Sequence, residues 1–364
     1  MSLSIGIIGL PNVGKSSLFN ALTRGHAPAS NYPFCTVDKN VGIVEVADER
    51  LDRLNAALQP QECVRAAIQF IDIAGLVRGA SKGEGLGNMF LGHIREVHAV
   101  AHVVRCFEDP DVPHVAGELD PLRDVEIVET ELALADLETA AKAADTRGRH
   151  LKAHPKESRD QYEALCRVRD ALDAGTPVRR MGLDRDHLKL IEEFHFLTAK
   201  PVLFVANVAE HDLAGAAEPV RALRERFGDD HVVCVSARLE AELADLEPDE
   251  RQALMEEYGE HEPGVARLIA AGYRLLGYIT FYTIAHNKLR AWEIVAGSRA
   301  EEAAAKIHTD MEAGFIRAEV AHYSDVLRHG SLKELRAHGL VRAEGRDHVV
   351  ADGDVIEFHF KAPG

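Results

Sequence analysis

Five short apolar runs recur along the first two thirds of the chain, and helical patterns lie between most of them. The runs cover residues 5–8, 68–73, 100–107, 201–206 and 232–235. Apolar runs of this length are typical of strands that are buried on both faces of a parallel sheet. Strands that alternate with helices predict a doubly wound α/β sheet.

A long helical segment interrupts this alternation. Residues 125–144 and then roughly 158–197 carry helical periodicity without a strand between them. We therefore expect an antiparallel helical hairpin. It is placed at residues 124–200, as an insertion into a first domain of residues 1–277.

The pattern changes again in the last quarter of the chain. Short alternating strands are predicted at 279–284 and 290–295, with a turn between them, and a final strand is predicted at 354–360. This pattern of short alternating strands predicts a separate small α+β domain, residues 278–364.

The first apolar run leads directly into GLPNVGKSS, residues 9–17, which has the GxxxxGKS spacing of a phosphate-binding loop (P-loop). Its glycines permit backbone angles that turn N–H groups toward a phosphate. Lys15 is expected to reach the β- and γ-phosphates, and Ser16 is expected to offer its hydroxyl to Mg2+. A glycine-rich turn with a chance Lys-Ser pair is disfavoured, because strand, loop and helix follow in the required order. The residues predicted to bind nucleotide here are Asn12, Val13, Gly14, Lys15, Ser16 and Ser17.

More phosphate-side residues are predicted after the second apolar run. Asp72 ends that run, where a carboxylate can hold a water molecule bound to Mg2+. Gly75 is expected to bring its backbone N–H to the γ-phosphate, and the glycine-rich stretch 79–87 predicts a mobile switch. A first switch is predicted at NYPFCT, with Thr36 as a Mg2+ ligand. The alternative for that segment is a connector loop that contains proline.

Base recognition is predicted after the fourth apolar run, at NVAE, residues 207–210. Guanine-specific P-loop proteins carry NKxD there, and its Asp pairs with two donors on the guanine edge. Glu210 is longer than Asp by one methylene, and Val208 replaces the Lys that covers the base. Guanine should therefore lose matched hydrogen bonds, at a cost of about 1–3 kcal/mol. We expect adenine to be favoured, with Asn207 tying the loops together and Ser236-Ala237 giving a backbone contact near the base.

Composition narrows the class of protein. The 364 residues carry a formal net charge of −17, which argues against general adhesion to nucleic acid through the field of the whole molecule. Segments 147–156, 167–180 and 328–346 are rich in Arg, Lys and His, which fits a solvated helix face as well as a local RNA contact. Because of this negative charge, we expect no DNA partner. We also expect no membrane association, because no apolar run approaches the length of a bilayer span.

The five cysteines are scattered without CxxC pairs. This pattern suggests neither a disulfide framework nor a zinc site. A reducing cytoplasm fits the pattern.

Together the motifs resemble those of the Obg-like ATPases of the YchF group, within the translation-factor class of P-loop proteins. The resemblance spans nearly the whole chain, and a minor departure is Asp38-Lys39-Asn40, where the family usually has Glu-Pro-Asn. It implies that the last domain is a TGS domain, a ubiquitin-like β-grasp module. It also implies hydrolysis of ATP in preference to GTP, and association with the large ribosomal subunit or the whole ribosome. The matching segments are GLPNVGKSS, NYPFCT, DIAGLVRGASKGEGLGN, TELALADLE, NVAE, KIHTDMEAGFIRAEV and DGDVIEF.

One substitution bears on catalysis. Leu76 follows Gly75, at a position where many P-loop hydrolases carry a Gln that orients the attacking water. Leucine cannot hydrogen-bond water, so slow intrinsic turnover is expected. The resemblance nominates His114 as a catalytic residue beside Lys15, because a neutral imidazole can position water or act as a base. The alternative for His114 is an ordinary surface-loop histidine.

Two further roles are expected. Asn12 stands where an Asn coordinates K+ in cation-activated relatives, and K+ can offset developing phosphate charge. Cys35, beside Thr36, is a candidate redox residue, and the resemblance supports redox sensitivity.

The leading interpretation is a slow, Mg2+-dependent ATPase switch whose nucleotide state changes its engagement with the ribosome. One alternative is a GTPase of the same architecture, which Glu210 disfavours. Another is a nucleotide-gated ribosome-binding adaptor in which hydrolysis is incidental, and Leu76 gives this weight. A small-molecule kinase is a third, for which NVAE and the TGS-like segment have no evident use.

Overall fold

The computed structural model describes residues 4–24, 40–73, 86–109, 118–151 and 159–361. These ranges contain twelve strands and fourteen helices, besides short 3-10 turns. The strands are β1 Ser4–Ile8, β2 Val41–Glu45, β3 Glu62–Val64, β4 Ala67–Asp72, β5 Ala99–Arg105, β6 Val202–Asn207, β7 Val232–Val235, β8 Tyr278–Ala285, β9 Lys288–Val295, β10 Phe315–His322, β11 Arg342–Glu344 and β12 Asp354–Phe360. The helices are α1 Lys15–Thr23, α2 Glu49–Leu58, α3 Leu86–Glu96, α4 Pro121–Leu151, α5 Arg159–Asp173, α6 Arg185–Ile191, α7 Glu218–Phe227, α8 Ala237–Leu243, α9 Pro248–Glu257, α10 Gly264–Leu275, α11 Ala300–Ile307, α12 Thr309–Ala313, α13 Tyr323–His329 and α14 Leu332–Ala337.

The first sheet has six strands in the order β2-β4-β1-β5-β6-β7. All pairings from β4 to β7 are parallel, and each of the five predicted apolar runs forms one of these strands. β1 and β5 are buried along their whole length, which explains why their sequences do not alternate. The predicted doubly wound α/β sheet is confirmed, and the carboxyl ends of its parallel strands meet at one edge.

The edge strand β2 is not among the strands that the sequence predicts. It runs antiparallel to β4, and its side chains alternate between buried and half-buried positions. Its sequence, VGIVE, includes Gly42, at which a Cβ would lie 2.0 Å from Thr23 Cγ2 of α1. Gly42 allows α1 to pack closely against β2. Because it is a glycine at a buried position, it also interrupts the apolar alternation by which a strand is predicted.

The helical insertion is present, but its second arm is shorter than the predicted 158–197. α4 and α5 pack through Ala140, Ala144, Leu165 and Val168. α5 ends at Asp173, because Gly175 adopts a φ of 78° and Pro177 follows. The buried carboxylate of Asp136 then accepts hydrogen bonds from the backbone N–H groups of residues 197 and 198, which brings the chain back to the sheet.

The second sheet also has six strands, in the order β11-β10-β12-β8-β9-β3. β8 and β9 form a hairpin whose turn residues, His286 and Asn287, both have positive φ, and α11 packs against β9 and β10. β12 pairs antiparallel with β10 and parallel with β8. This is the small α+β unit predicted for the last part of the chain; its assignment as a TGS domain stays a prediction.

The two sheets are joined by more than the chain connection. β3 lies within residues 1–277, yet it pairs in parallel with β9 and completes the second sheet. The Tyr282 hydroxyl donates to Asp48 Oδ2 at 2.5 Å, and Arg50 forms an ion pair with Asp352 at 2.6 Å. α10 ends directly before β8. One cluster of buried apolar side chains continues from the first sheet into the second, where it includes Tyr282, Leu289 and Val355.

None of the helices in the described ranges is both long and apolar enough to cross a bilayer.

Candidate functional site

The loop after β1 has the backbone conformation that a phosphate cradle requires. φ is 148° at Gly9, 62° at Asn12 and 98° at Gly14. A Cβ at Gly9 would lie 2.4 Å from the carbonyl oxygen of Val103, and one at Gly14 would lie 2.3 Å from Asn207 Nδ2. The two glycines are therefore needed for close approach as well as for backbone angle.

α1 begins at this loop and leaves its amino end open. Its N-cap residue is Gly14, in the left-handed region, and its first turn holds no acidic residue. The first N–H groups of a helix have no partner within the helix, and the helix dipole places partial positive charge there. Together with the loop, this end of α1 can bind an anion such as a phosphate.

Lys15 is held inside the loop. Its side chain is 8% exposed, and Nζ donates to the carbonyl oxygen of Leu10 at 2.7 Å. Burial lowers the pKa of Lys15, while the nearby charge of Asp72 acts in the opposite direction. An ammonium group with one carbonyl partner keeps two further donors, which can serve phosphate oxygens.

Ser16 and Asp72 meet beside the open end of α1. Ser16 Oγ donates to Asp72 Oδ2 at 3.3 Å, and both side chains reach solvent. A hydroxyl and a carboxylate next to a phosphate site are the oxygen donors that Mg2+ prefers, so these residues fit the ion. A group of three or more His, Cys, Asp or Glu side chains that could hold a metal does not occur among the described residues. The ion would therefore take its other ligands from phosphate, water or undescribed residues.

Asn207 joins the phosphate loop to the loop after β7. Its Nδ2 donates to the carbonyl oxygen of Val13 at 2.9 Å, and its Oδ1 accepts from the backbone N–H of Ala237 at 3.0 Å. The side chain is 5% exposed, so both hydrogen bonds lie away from water. Asn207 therefore fixes the spacing between the phosphate and base ends of the site.

A cavity of about 790 Å³ extends from the phosphate loop. Val208 forms part of its floor; it is 2% exposed, and its backbone N–H donates to the carbonyl oxygen of Val235 at 3.0 Å. The Ser236 hydroxyl accepts from Leu239 N–H, so Ser236 caps α8 while it lines the cavity. The lining includes these predicted residues: Asn12, Gly14, Ser17, Asn207, Val208, Glu210, Ser236 and Ala237.

Other lining residues are not indicated by the sequence motifs. Phe107 follows β5 and belongs to a predicted apolar run, although its position after a strand end is a usable signal for a site residue. Arg24 Nη1 donates to both carboxylate oxygens of Asp245, at 2.8 and 2.9 Å, and both residues line the cavity. Arg238 lies beside Glu210, in a position that no motif indicates.

Several predicted site residues lie outside the described ranges. They are Cys35, Thr36, Gly75, Leu76 and His114. Their roles stay predictions.

Two family models match the chain. YchF-GTPase_C, described as a protein of unknown function, matches residues 278–361. MMR_HSR1, described as a 50S ribosome-binding GTPase, matches residues 4–140.

Curated relatives match over their full length. The ribosome-binding ATPase YchF of Bacillus subtilis (strain 168) is 46% identical over 364 residues, which are 99% of this chain and 100% of the relative. The protein of the same name from Escherichia coli O157:H7 is 43% identical over 362 residues, 99% of each chain. The chain belongs to the YchF family.

A solved YchF structure agrees with this assignment. The YchF GTPase of Schizosaccharomyces pombe matches with a TM-score of 0.87 and 32% identity, covering 98% of each chain. The resemblance to YchF seen in the motifs and the expected P-loop fold are therefore both confirmed. The bacterial YchF proteins are named ATPases and the S. pombe YchF is named a GTPase, so these names differ on the nucleotide.

Proposed function

We propose that this chain is a slow, Mg2+-dependent ATPase that binds the ribosome and whose bound nucleotide governs that association. The observation that carries the proposal is the open amino end of α1, with Lys15 and the Ser16–Asp72 pair beside it. The helix end and Lys15 can neutralise part of the charge of a triphosphate, and the Ser16–Asp72 pair can hold the Mg2+ that neutralises more of it. The names of the bacterial YchF relatives support the ribosome and the ATPase activity.

At the phosphate end, Lys15 directs its two further donors to the β- and γ-phosphates. The residues that bind the nucleotide there are Asn12, Val13, Gly14, Lys15, Ser16 and Ser17. Ser16 and Thr36 would hold Mg2+ directly, and Asp72 would hold it through water. When bound, the ion neutralises charge on the phosphates. Gly75 contacts the γ-phosphate through its backbone. His114 positions the attacking water, and slow turnover follows from Leu76.

At the base end, the proposal is adenine over guanine. Val208 offers an apolar surface to the base, and Glu210 is half-buried in the cavity wall. A carboxylate only accepts hydrogen bonds, so it suits the 6-amino donor of adenine. Ser236 and Ala237 supply backbone contacts beside the base.

We also propose the wider organisation that the sequence suggests. The nucleotide domain spans 1–277 with the insertion at 124–200, and a TGS domain spans 278–364. The partners are ATP, GTP more weakly, and the large ribosomal subunit or whole ribosome, in the cytoplasm. Polar contacts between the two sheets, such as Arg50 with Asp352, support a route from the nucleotide to the second domain.

K+ is proposed as an activator bound near Asn12. Asn12 has a φ of 62°, is exposed and lines the cavity at the phosphate loop. Turnover should be faster in K+ than in Na+ buffer, and faster than in Asn12→Ala. Equal turnover in both buffers would remove K+ from the account. Cys35 is proposed as a redox-sensitive thiol.

A GTPase of the same architecture is the second candidate, favoured by the name of the S. pombe protein and the description of one family model. Calorimetric titration of the purified chain with ATP and with GTP, each with Mg2+, separates the two. We expect tighter binding of ATP than of GTP, and a shift of this preference toward GTP in the double variant Val208→Lys with Glu210→Asp. Lys15→Ala controls for the site, because it should lose both nucleotides. Clear GTP preference in the unchanged chain would overturn the adenine assignment.

A further inference from the structure

Arg105 is a buried charged side chain at the carboxyl end of β5, with 4% of its surface exposed. A buried guanidinium needs hydrogen-bond acceptors close by, because its loss of hydration is otherwise costly. Its Nε donates to the carbonyl oxygen of Phe107 at 3.0 Å, and its Nη2 donates to the carbonyl oxygen of Asp109 at 3.2 Å. Both acceptors belong to the segment that directly follows the strand.

These two hydrogen bonds fold residues 107–109 around Arg105. Nε and Nη2 are neighbouring donors on one edge of the planar guanidinium. Two carbonyls that reach the same edge must converge, and the chain bends at Phe107. The guanidinium carbon also lies 4.8 Å from the centre of the Phe107 ring, within the range of a cation–π contact. Arg105 therefore holds both the backbone of this segment and its aromatic side chain.

The segment lies between the two ends of the nucleotide cavity. Phe107, Glu108 and Asp109 all line this cavity of about 790 Å³. In the first sheet, β5 lies between β1, which leads to the phosphate loop, and β6, which leads to the predicted base-recognition residues 207–210. A nucleotide that spans from one loop to the other passes the end of β5 with its sugar. Residues 107–109 are therefore placed to contact the nucleoside part of the ligand.

We propose that Arg105 is a positioning residue that shapes the nucleoside side of the cavity by holding residues 107–109. Arg105 itself is buried and is not among the described residues that line the cavity, so it acts through this segment. The inference rests on the proposed nucleotide site. It goes beyond that site, because it assigns part of the affinity for ATP to a side chain that belongs to none of the sequence motifs.

Arg105→Gln tests the proposal with two ligands, ATP and inorganic tripolyphosphate, each titrated with Mg2+. Tripolyphosphate has the three phosphates of ATP but neither sugar nor base, so its affinity reports on the phosphate loop alone. Glutamine lacks the charge and the paired donors that hold the segment. The ratio of ATP affinity to tripolyphosphate affinity should fall about tenfold, which is the size of one hydrogen bond to a charged group. The affinity for tripolyphosphate should stay close to that of the unchanged chain.

Arg95→Gln is the matched control. Arg95 Nη1 also donates to main-chain carbonyls, those of Phe194 and His195, at 3.4 and 3.2 Å. Neither Arg95 nor these two acceptors are among the described residues that line the cavity. This variant should therefore keep the affinity ratio of the unchanged chain. Arg105→Lys keeps the charge but has a single nitrogen in place of the guanidinium edge, so its ratio should lie between those of the unchanged chain and Arg105→Gln.

The outcomes separate the two proposals. An unchanged chain that binds ATP no more tightly than tripolyphosphate overturns the proposed nucleotide site. An unchanged chain that prefers ATP, with the same preference in Arg105→Gln, overturns the role of Arg105. Equal losses of both ligands in Arg105→Gln also overturn it, because Arg105 would then only support the fold. Far-ultraviolet circular dichroism establishes that each variant is folded, and Arg105→Lys carries the same test if Arg105→Gln is not.

Discussion

Glu240 is a carboxylate enclosed between α8 and α10, with 4% of its surface exposed. Its Oε1 accepts a hydrogen bond from the backbone N–H of Gly264, the first residue of α10, at 2.6 Å. Burial raises the pKa of Glu240 to about 7, although the N–H groups of Gly264 and Val265 and the charges of Arg267 and Arg251 act to lower it. Since α8 starts at the base cavity and α10 leads into β8, this contact links the cavity to the second sheet.

The sign of the pH dependence follows from this raised pKa. Between about pH 4.5 and about pH 7, the folded chain holds a proton on Glu240 that the unfolded chain has lost. The contribution of Glu240 to the free energy of unfolding therefore falls as the pH rises through this interval. The interval corresponds to about 3 kcal/mol at most. Glu240→Gln has no such titration, so the stability of the unchanged chain relative to this variant should fall by about 1–3 kcal/mol.

Urea unfolding at several pH values, from about pH 5 to about pH 8, measures this difference. The single tryptophan, Trp292, reports on the second sheet, and circular dichroism reports on the whole chain. Coincident transitions by the two probes justify the two-state free energies. Glu242→Gln, an exposed site on the same helix, is the control and should follow the unchanged chain with a constant offset. A constant difference between the unchanged chain and Glu240→Gln across the range would refute the reasoning.

Two further predictions concern the phosphate loop. Asn207→Ala leaves the carbonyl of Val13 and the N–H of Ala237 unpaired, so the free energy of unfolding should fall by about 2–4 kcal/mol and ATP and GTP should both bind more weakly. Urea unfolding and nucleotide titration check this, and undiminished stability would contradict it. Gly14→Ala should lower ATP affinity at least about tenfold, because its Cβ meets Asn207 Nδ2 and its φ is 98°. Gly297→Ala is a control for backbone strain alone, because Gly297 has a φ of 89°, its Cβ would meet open space and it does not line the cavity. It should lower the free energy of unfolding by about 1–2 kcal/mol and leave ATP affinity unchanged. ATP affinity in Gly14→Ala equal to that in Gly297→Ala would remove the steric argument.

The sequence predicts the parallel strands well because burial on both faces leaves a local signal. β5 is buried at every position, and its apolar run is unmistakable. β3 has three residues and pairs with β9, more than 200 residues later, so nothing local indicates it. The helical periodicity of the sequence continues past Gly175, so the prediction extends this helical arm too far. In the structure, α5 ends before Gly175 because that residue has a positive φ.

The candidate site also has one part that the sequence predicts and one part that depends on the tertiary structure. The phosphate loop is encoded by consecutive residues, and its conformation can be predicted from the spacing of Gly9, Gly14 and Lys15. Phe107 and Arg238 reach the cavity only because the ends of β5, β6 and β7 lie side by side in the sheet. Their proximity to Glu210 is a property of the tertiary structure, and a search for short motifs cannot find it.

We propose that ATP hydrolysis and ribosome association are coupled in this chain. Single-turnover hydrolysis of ATP by the purified chain, with Mg2+ and K+, measured with and without ribosomes, tests this coupling. We expect slow hydrolysis by the chain alone, acceleration by ribosomes, and no hydrolysis by Lys15→Ala in either condition. Hydrolysis that ribosomes leave unchanged would contradict the coupling and favour a nucleotide-gated adaptor.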